Sequence, residues 1–290
     1  VTDAIIFLSD PVYWNGTALV LGLLVGSFLN VVIHRLPIMM EREFKQECQL
    51  ALSGEQDQEP APQERYNLIV PASTCPKCQH KIKPWENIPV ISYLFLRGKC
   101  SGCQTPISAR YPIIELVSGL LALMCAVIYG PGMTSFMVIV LCWLLLSMSM
   151  IDIDHQLLPD SLTLPLLWLG LLANTTGMFT TLEEAVYGAV AGYLTLWSVY
   201  WLFKLVTGKE GMGYGDFKLL AALGAWMGWQ YLPLIILLSS FVGAFVGIAM
   251  IVIRGRDRNI PIPFGPYLAA AGLIAMFWGD AILKTYLGSF

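Results

Sequence analysis

Long apolar runs separated by short polar stretches dominate the chain, and their lengths predict helices that cross a membrane. The first run covers residues 14–33. It is too long for a signal peptide, and no basic leader or small-residue cleavage site accompanies it, so a retained helix is expected. Residues 34–112 break the pattern with Pro, Lys, Arg, Glu and five of the seven cysteines. Further apolar runs then predict helices at about 113–129, 135–151, 161–174, 184–206, 216–228, 231–253 and 264–283. Spanning the hydrocarbon layer takes roughly 20 residues, so 161–174 and 216–228 are short and are expected to tilt or to extend into a loop. The expectation is an all-α polytopic membrane protein of about eight transmembrane helices, with a polar insert after the first.

Composition narrows the class. Of 290 residues, 56% are hydrophobic and 13% charged, against about 25% charged in an ordinary soluble domain. Mean hydropathy is +0.65. These values exclude a soluble globular domain, a nucleic-acid binder and a disordered chain, and they imply membrane lipid as the surrounding medium. The net charge of -3 says little, but the placement of the charges says more. Residues 34–112 hold ten of the seventeen basic residues: Arg35, Arg42, Lys45, Arg65, Lys77, Lys81, Lys83, Arg97, Lys99 and Arg110. Lys204, Lys209, Lys218, Arg254, Arg256 and Arg258 fall on the same predicted side, and only Lys284 on the other. The positive-inside rule then puts the insert in the cytoplasm and both termini outside it. The acidic, low-complexity stretch 55–64 is expected to be a mobile loop.

Two CxxC pairs, Cys75-Pro-Lys-Cys78 and Cys100-Ser-Gly-Cys103, lie 21 residues apart. Each pair brings two thiolates to one metal, and two pairs complete a tetrahedral shell. A structural zinc ion with these four ligands is the expectation. Disulfides would need an oxidising compartment, whereas the charge pattern makes this segment cytoplasmic. His80 reads as a surface residue and Cys125 and Cys142 as small core residues.

Carboxylates are scarce in the apolar part, and each needs a reason. Asp152-Ile-Asp154-His-Gln-Leu-Leu-Pro-Asp160 ends the third predicted helix, and Gly211-Met-Gly213-Tyr-Gly215-Asp216 leads into the sixth. Both ends fall on one side of the membrane, so one acid from each can meet the other. A close pair in low dielectric shares a proton, and the two protonation states suit general base and general acid. Gly213 and Gly215 are expected to let the backbone turn tightly and a substrate strand approach. The competing reading is helix capping: it is preferred for Asp160, and for Asp152 and Asp216 both readings stand on the residues alone.

The ordered set Gly26-Ser-Phe-Leu-Asn30-Val-Val-Ile-His-Arg35-Leu-Pro37, the two CxxC pairs, Arg110-Tyr-Pro-Ile-Ile-Glu115, Asp152 with Pro159-Asp160, and Gly213-Tyr-Gly-Asp216-Phe-Lys218 resembles the type IV prepilin peptidases. These are GxGD-type intramembrane aspartic proteases of pilus and type II secretion systems. The resemblance covers almost the whole chain and is weakest over 38–70. It implies catalytic Asp216 and Asp152, with Asp154 the competitor for the second place, in a bacterial inner-membrane enzyme. It implies leader cleavage of prepilins or pseudopilins on the cytoplasmic side, followed by N-methylation of the new N-terminus from S-adenosylmethionine. Gly98 matches a glycine linked to the methyltransferase, Glu115 and Asn30 are expected to serve the same face, and Pro263 and Gly265 to shape the cleft. Asn30 and Glu115 also read as packing polar residues. The implied division is 1–33 as N-terminus and first helix, 34–112 as the zinc insert and 113–290 as a seven-helix protease domain.

Two rival readings are a transporter with an intramembrane carboxylate site and a non-catalytic zinc-binding scaffold. Against the first, the acids sit at one membrane edge and no inverted repeat is visible. A metalloprotease is disfavoured because His-Glu-x-x-His is absent and the chain has three histidines.

Overall fold

The computed structural model describes residues 10–53, 65–254 and 262–287. The acidic stretch 55–64 lies outside them. In chain order the elements are α1 (Pro11–Ser53), a 3₁₀ turn (Pro84–Asn87), α2 (Ile91–Phe95), α3 (Arg110–Tyr129), α4 (Met133–His155), α5 (Asp160–Asn174), α6 (Leu182–Thr207), α7 (Tyr214–Met227), a second 3₁₀ turn (Trp229–Tyr231), α8 (Leu232–Arg254) and α9 (Gly265–Leu287). Among the described residues the only β-pairing is two isolated bridges, Thr74 with Lys81 and Lys99 with Pro106.

Among the described residues, six helical stretches are long and apolar enough to cross a membrane: those of α1, α3, α4, α6, α8 and α9. The expected eight helices all form, but α5 and α7 have 15 and 14 residues, short of a full span. The chain is a multi-pass membrane protein. α1 departs from expectation in length, running 43 residues, or ~64 Å at 1.5 Å per residue. It passes through the change of polarity near residue 33 and through Pro37. A helix closes its own backbone hydrogen bonds, so it can leave lipid for water while only its side chains change. Its polar half is supported by a Lys45–Glu41 ion pair and by Arg42 over the Tyr66 ring.

The chain divides into two compact units, residues 1–143 and 144–290, with α4 beginning in one and ending in the other. In the first, α1 packs on α3 through small residues. A Cβ on Gly22 would lie 2.8 Å from that of Ala122, and one on Gly26 would lie 2.7 Å from the Glu115 Cα. The Ser118 hydroxyl donates to the Gly22 carbonyl at 2.6 Å. Such close approach is how helices gain contact where lipid removes the hydrophobic drive.

In the second unit α7 is the buried centre. From Asp216 through Met227 all residues but Lys218 are buried, as befits a helix that is apolar all round. α5, α6 and α9 pack around it. Its crossing with α6 is backbone on backbone: a Cβ on Gly224 would overlap the Gly188 carbonyl oxygen, and one on Gly192 would lie 2.7 Å from the Leu220 carbonyl oxygen. The buried Trp226 indole donates to the Leu166 carbonyl at 2.8 Å, and the Asn174 amide donates to the carbonyls of Ala225 and Trp226. Gly224→Ala is expected to force these helices apart and to destabilise the unit by about 1–3 kcal/mol. Heat-induced loss of the folded, detergent-solubilised protein would report it as a lower midpoint than the parent.

Candidate active site and metal centre

Asp152 lies one turn before the end of α4. There it is 5% exposed, and its Oδ2 accepts the Gly265 amide at 2.9 Å. Gly265 is the first residue of α9, and a Cβ there would stand 2.7 Å from that oxygen. Asp216 is the third residue of α7 and 7% exposed; its carboxylate accepts from the Gly213 amide and feels the charge of Asp152. The two acids are thus brought together by the ends of two helices that are 64 positions apart in the sequence. Asp154 and Asp160 are exposed.

Three expectations are corrected. Asp160 does not cap α5: Pro159 occupies the N-cap, and Asp160 accepts from the Lys218 ammonium at 2.6 and 2.7 Å. Asp216 is not the N-cap of α7 either; Gly213 is, and Asp216 reaches back to it from inside the first turn. The glycines do not serve a tight turn. Gly213 has φ -82, an ordinary extended value, and Gly215 lies within the helix. What Gly215 permits is contact, since a Cβ there would meet that of Leu158 at 2.6 Å. Leu158, buried in the α4–α5 loop, also lies against Gly265, so one side chain spaces the glycines that flank the two acids. Sequence reasoning missed Leu158 and the Lys218–Asp160 pair, which no local pattern marks. The Gly188-x-x-x-Gly192 spacing was a readable signal for the α6–α7 crossing.

Beside the acids an apolar cleft of about 430 Å³ is lined by Thr195, Met212, Ile236, Gly243, Pro263 and Phe264, among others. Met212 precedes Gly213 and Phe264 precedes Gly265, so the cleft borders both segments that hold the carboxylates.

In the insert, Cys75, Cys78, Cys100 and Cys103 converge, with all four sulfurs within 4.8 Å of one another. Cys75 to Cys103 is 3.8 Å and Cys78 to Cys100 is 3.9 Å. A tetrahedron with metal–sulfur bonds of about 2.3 Å has edges of about 3.8 Å, so the spacing fits a four-thiolate metal and is too wide for disulfides. The two knuckles repeat one geometry. Cys75 and His80, and likewise Cys100 and Thr105, close the loops by amide-to-carbonyl bonds, and Gln79 and Gln104 both adopt φ 59. The Thr105 hydroxyl and amide hold the Cys103 thiol down at about 6, which favours the thiolate a metal needs. His80 is not a ligand; its Nε2 lies 3.1 Å from both Glu86 and the Ser101 hydroxyl. Glu86 is held at about 2 by the Lys83 amide, Ser101 and His80.

Gly98 is buried at φ 67, and a Cβ there would stand 2.9 Å from the Tyr93 ring. Glu115 Oε2 accepts the Val90 amide at 2.7 Å, and the Asn30 amide donates to the Tyr111 carbonyl at 3.2 Å. Glu115 ties the insert to α3 and Asn30 ties α1 to α3, whereas Gly98 packs within the insert. Cys125 and Cys142 are core residues, fully buried with sulfurs 3.6 Å apart.

Comparison with known proteins meets the same two halves. Residues 20–129 match the bacterial peptidase A24 N-terminal domain, and residues 139–248 match the type IV leader peptidase family. No solved structure matches. The prepilin leader peptidase/N-methyltransferase of Pseudomonas aeruginosa is 60% identical over 279 residues, 96% of this chain and 95% of the relative. That of Stutzerimonas stutzeri is 61% identical over 279 residues, 96% of each chain. The Aeromonas hydrophila protein of the same name is 58% identical over 269 residues, covering 93% and 92%. Matched in both halves, and along nearly its full length by relatives of like size, the chain belongs to the type IV leader peptidase family.

Proposed function

We propose that the protein cuts the short basic leader from type IV prepilins and pseudopilins and then N-methylates the new N-terminal residue. The observation that carries the first step is the meeting of two buried carboxylates, Asp152 and Asp216, while Asp154 and Asp160 face out. One carboxylate, ionised, takes a proton from water as the water oxygen attacks the scissile carbonyl. The other, protonated, donates to that carbonyl oxygen. Collapse of the tetrahedral intermediate breaks the C–N bond, and a proton passes to the leaving amine. The Gly265 and Gly213 amides fix the carboxylates, and Leu158 fixes the distance between their supports. The apolar cleft beside them suits the hydrophobic helix that follows a prepilin leader. A transporter reading is not favoured, because the acids lie at helix ends rather than at mid-membrane.

The basic residues of 34–112 favour a cytoplasmic insert and active face, with periplasmic termini, in the inner membrane of a bacterium. The four cysteines suit a structural zinc ion, which would brace the two knuckles and supply no open coordination position. For S-adenosylmethionine the support is the name its relatives carry. Glu115 accepts the Val90 amide, and Gly98 leaves room for the Tyr93 ring.

Purified protein mixed with a prepilin is expected to yield a shortened pilin by gel shift, and radiolabel from S-adenosylmethionine in that product. An intact prepilin after prolonged incubation would overturn the proposal. For the second activity, Gly98→Ser is expected to cut methylation at least about tenfold while cleavage continues. A side chain at φ 67 is strained by about 1–3 kcal/mol and displaces Tyr93. Equal loss of both activities would mean that Gly98 only holds the fold of the insert.

A further inference from the structure

The short helix α2 and the 3₁₀ turn before it carry their apolar side chains outward. Ile91, Leu94 and Phe95 share one face by their i, i+3, i+4 spacing and are 51%, 68% and 84% exposed. Trp85 and Ile88, on and just after the turn, are 64% and 44% exposed. The inward side is polar: Ser92 is buried, donating to the Trp85 carbonyl at 2.6 Å and accepting the Ile88 amide at 3.1 Å. A segment that turns its serine in and its tryptophan and phenylalanine out is built to be covered by something else.

Two observations identify what covers it. First, the Val90 amide is bonded to Glu115, the sixth residue of membrane-spanning α3. This ties the segment to the end of a helix whose Ile113 and Leu116 are themselves exposed apolar residues of a span. The patch therefore sits beside the place where α3 meets the edge of the bilayer. Second, the rim is cationic. The Lys83 ammonium lies 5.4 Å from the centre of the Trp85 ring, and Arg97 and Lys99 are exposed immediately beyond α2. Aromatic and aliphatic side chains edged by Lys and Arg are the makings of a segment that lies in the headgroup region.

We propose that Trp85, Ile88, Ile91, Leu94 and Phe95 insert into the surface of an anionic bilayer, with Lys83 and Arg97 at its phosphates. The metal-binding insert is thereby docked on lipid as well as on α3. This inference is independent of the peptidase reading, because it concerns what the patch touches and not what the dyad cuts.

The test places a photoreactive benzophenone amino acid at Phe95, and separately at Ile91, in the full chain. The protein is reconstituted in vesicles of phosphatidylethanolamine and phosphatidylglycerol, with Lys77 on the cysteine knuckle as the comparison position. After irradiation, lipid adducts counted by mass spectrometry are expected to be about tenfold more abundant at Phe95 and Ile91 than at Lys77, as burial of an apolar side chain allows. They should persist when a prepilin is added, and fall when phosphatidylcholine replaces phosphatidylglycerol. Equal lipid labelling at all three positions would overturn the proposal. So would adducts at Phe95 and Ile91 that join mainly a prepilin or a second copy of the chain.

Discussion

Asp216→Asn and Asp152→Asn are each expected to reduce prepilin cleavage by on the order of 10²–10⁴-fold, the contribution of a positioned general acid or base. Both proteins should still insert and accumulate as the parent does. Asparagine keeps the size of the side chain and an oxygen for the Gly213 or Gly265 amide, and it removes a buried charge rather than adding one. The effect is therefore chemical and not a loss of packing. Asp154→Asn is the control within the same helix. Two residues on, it is turned about 200° from Asp152, and it is exposed where Asp152 is buried. Its cleavage rate should match the parent. A companion variant, Gly265→Ala, leaves both acids in place but sets a methyl 2.7 Å from Asp152 Oδ2. A slowed rate with unchanged expression is expected there. Parental cleavage in either asparagine variant would remove the dyad from the mechanism, leaving the acids as structural groups.

Much of the candidate site was legible in the sequence, because carboxylates and clustered cysteines are residue types that an apolar chain otherwise avoids. Asp152 and Asp216 stood out through the scarcity of charge, and the four cysteines through their spacing. The missing parts belong to contacts between distant segments. Leu158 is one apolar residue among many, and only the fold sets it against Gly215 and Gly265. Asp160 has the sequence of a cap, yet a lysine 58 residues away provides the stronger, charged partner. The glycines of the GxGD segment were read as conformational, whereas Gly215 is required by proximity: it leaves room for Leu158, which keeps the α7 end near that of α4. The length of α1 was hidden for another reason. Composition marks where lipid ends, and a helix has no need to end there. Helices form at all eight predicted places, but among the described residues only six are long and apolar enough to span, α5 and α7 having 15 and 14 residues.

Substitution of a single knuckle cysteine, Cys75→Ser or Cys103→Ser, is expected to strip the insert of its metal. The purified parent should carry about one zinc per chain by elemental analysis, and either variant should retain about a tenth of that or less. The magnitude follows from the coupling of metal to fold: structural zinc contributes apparent binding free energies of roughly 10–16 kcal/mol in small domains, and a serine oxygen is a poor substitute for thiolate. The geometry explains why one ligand suffices to break the site. The two knuckles are joined to each other chiefly through the four sulfurs, with His80, Glu86 and Ser101 bridging beside them. Without a metal, four thiolates held this close repel one another or hold protons. The loops around 74–81 and 99–106 should then become sensitive to limited proteolysis, and cobalt added to the parent in place of zinc should give the absorption bands of tetrahedral thiolate coordination. Iron would also accept four thiolates, so the elemental analysis decides the metal as well as its number. Full metal retention in both serine variants would show that the four cysteines do not form the site.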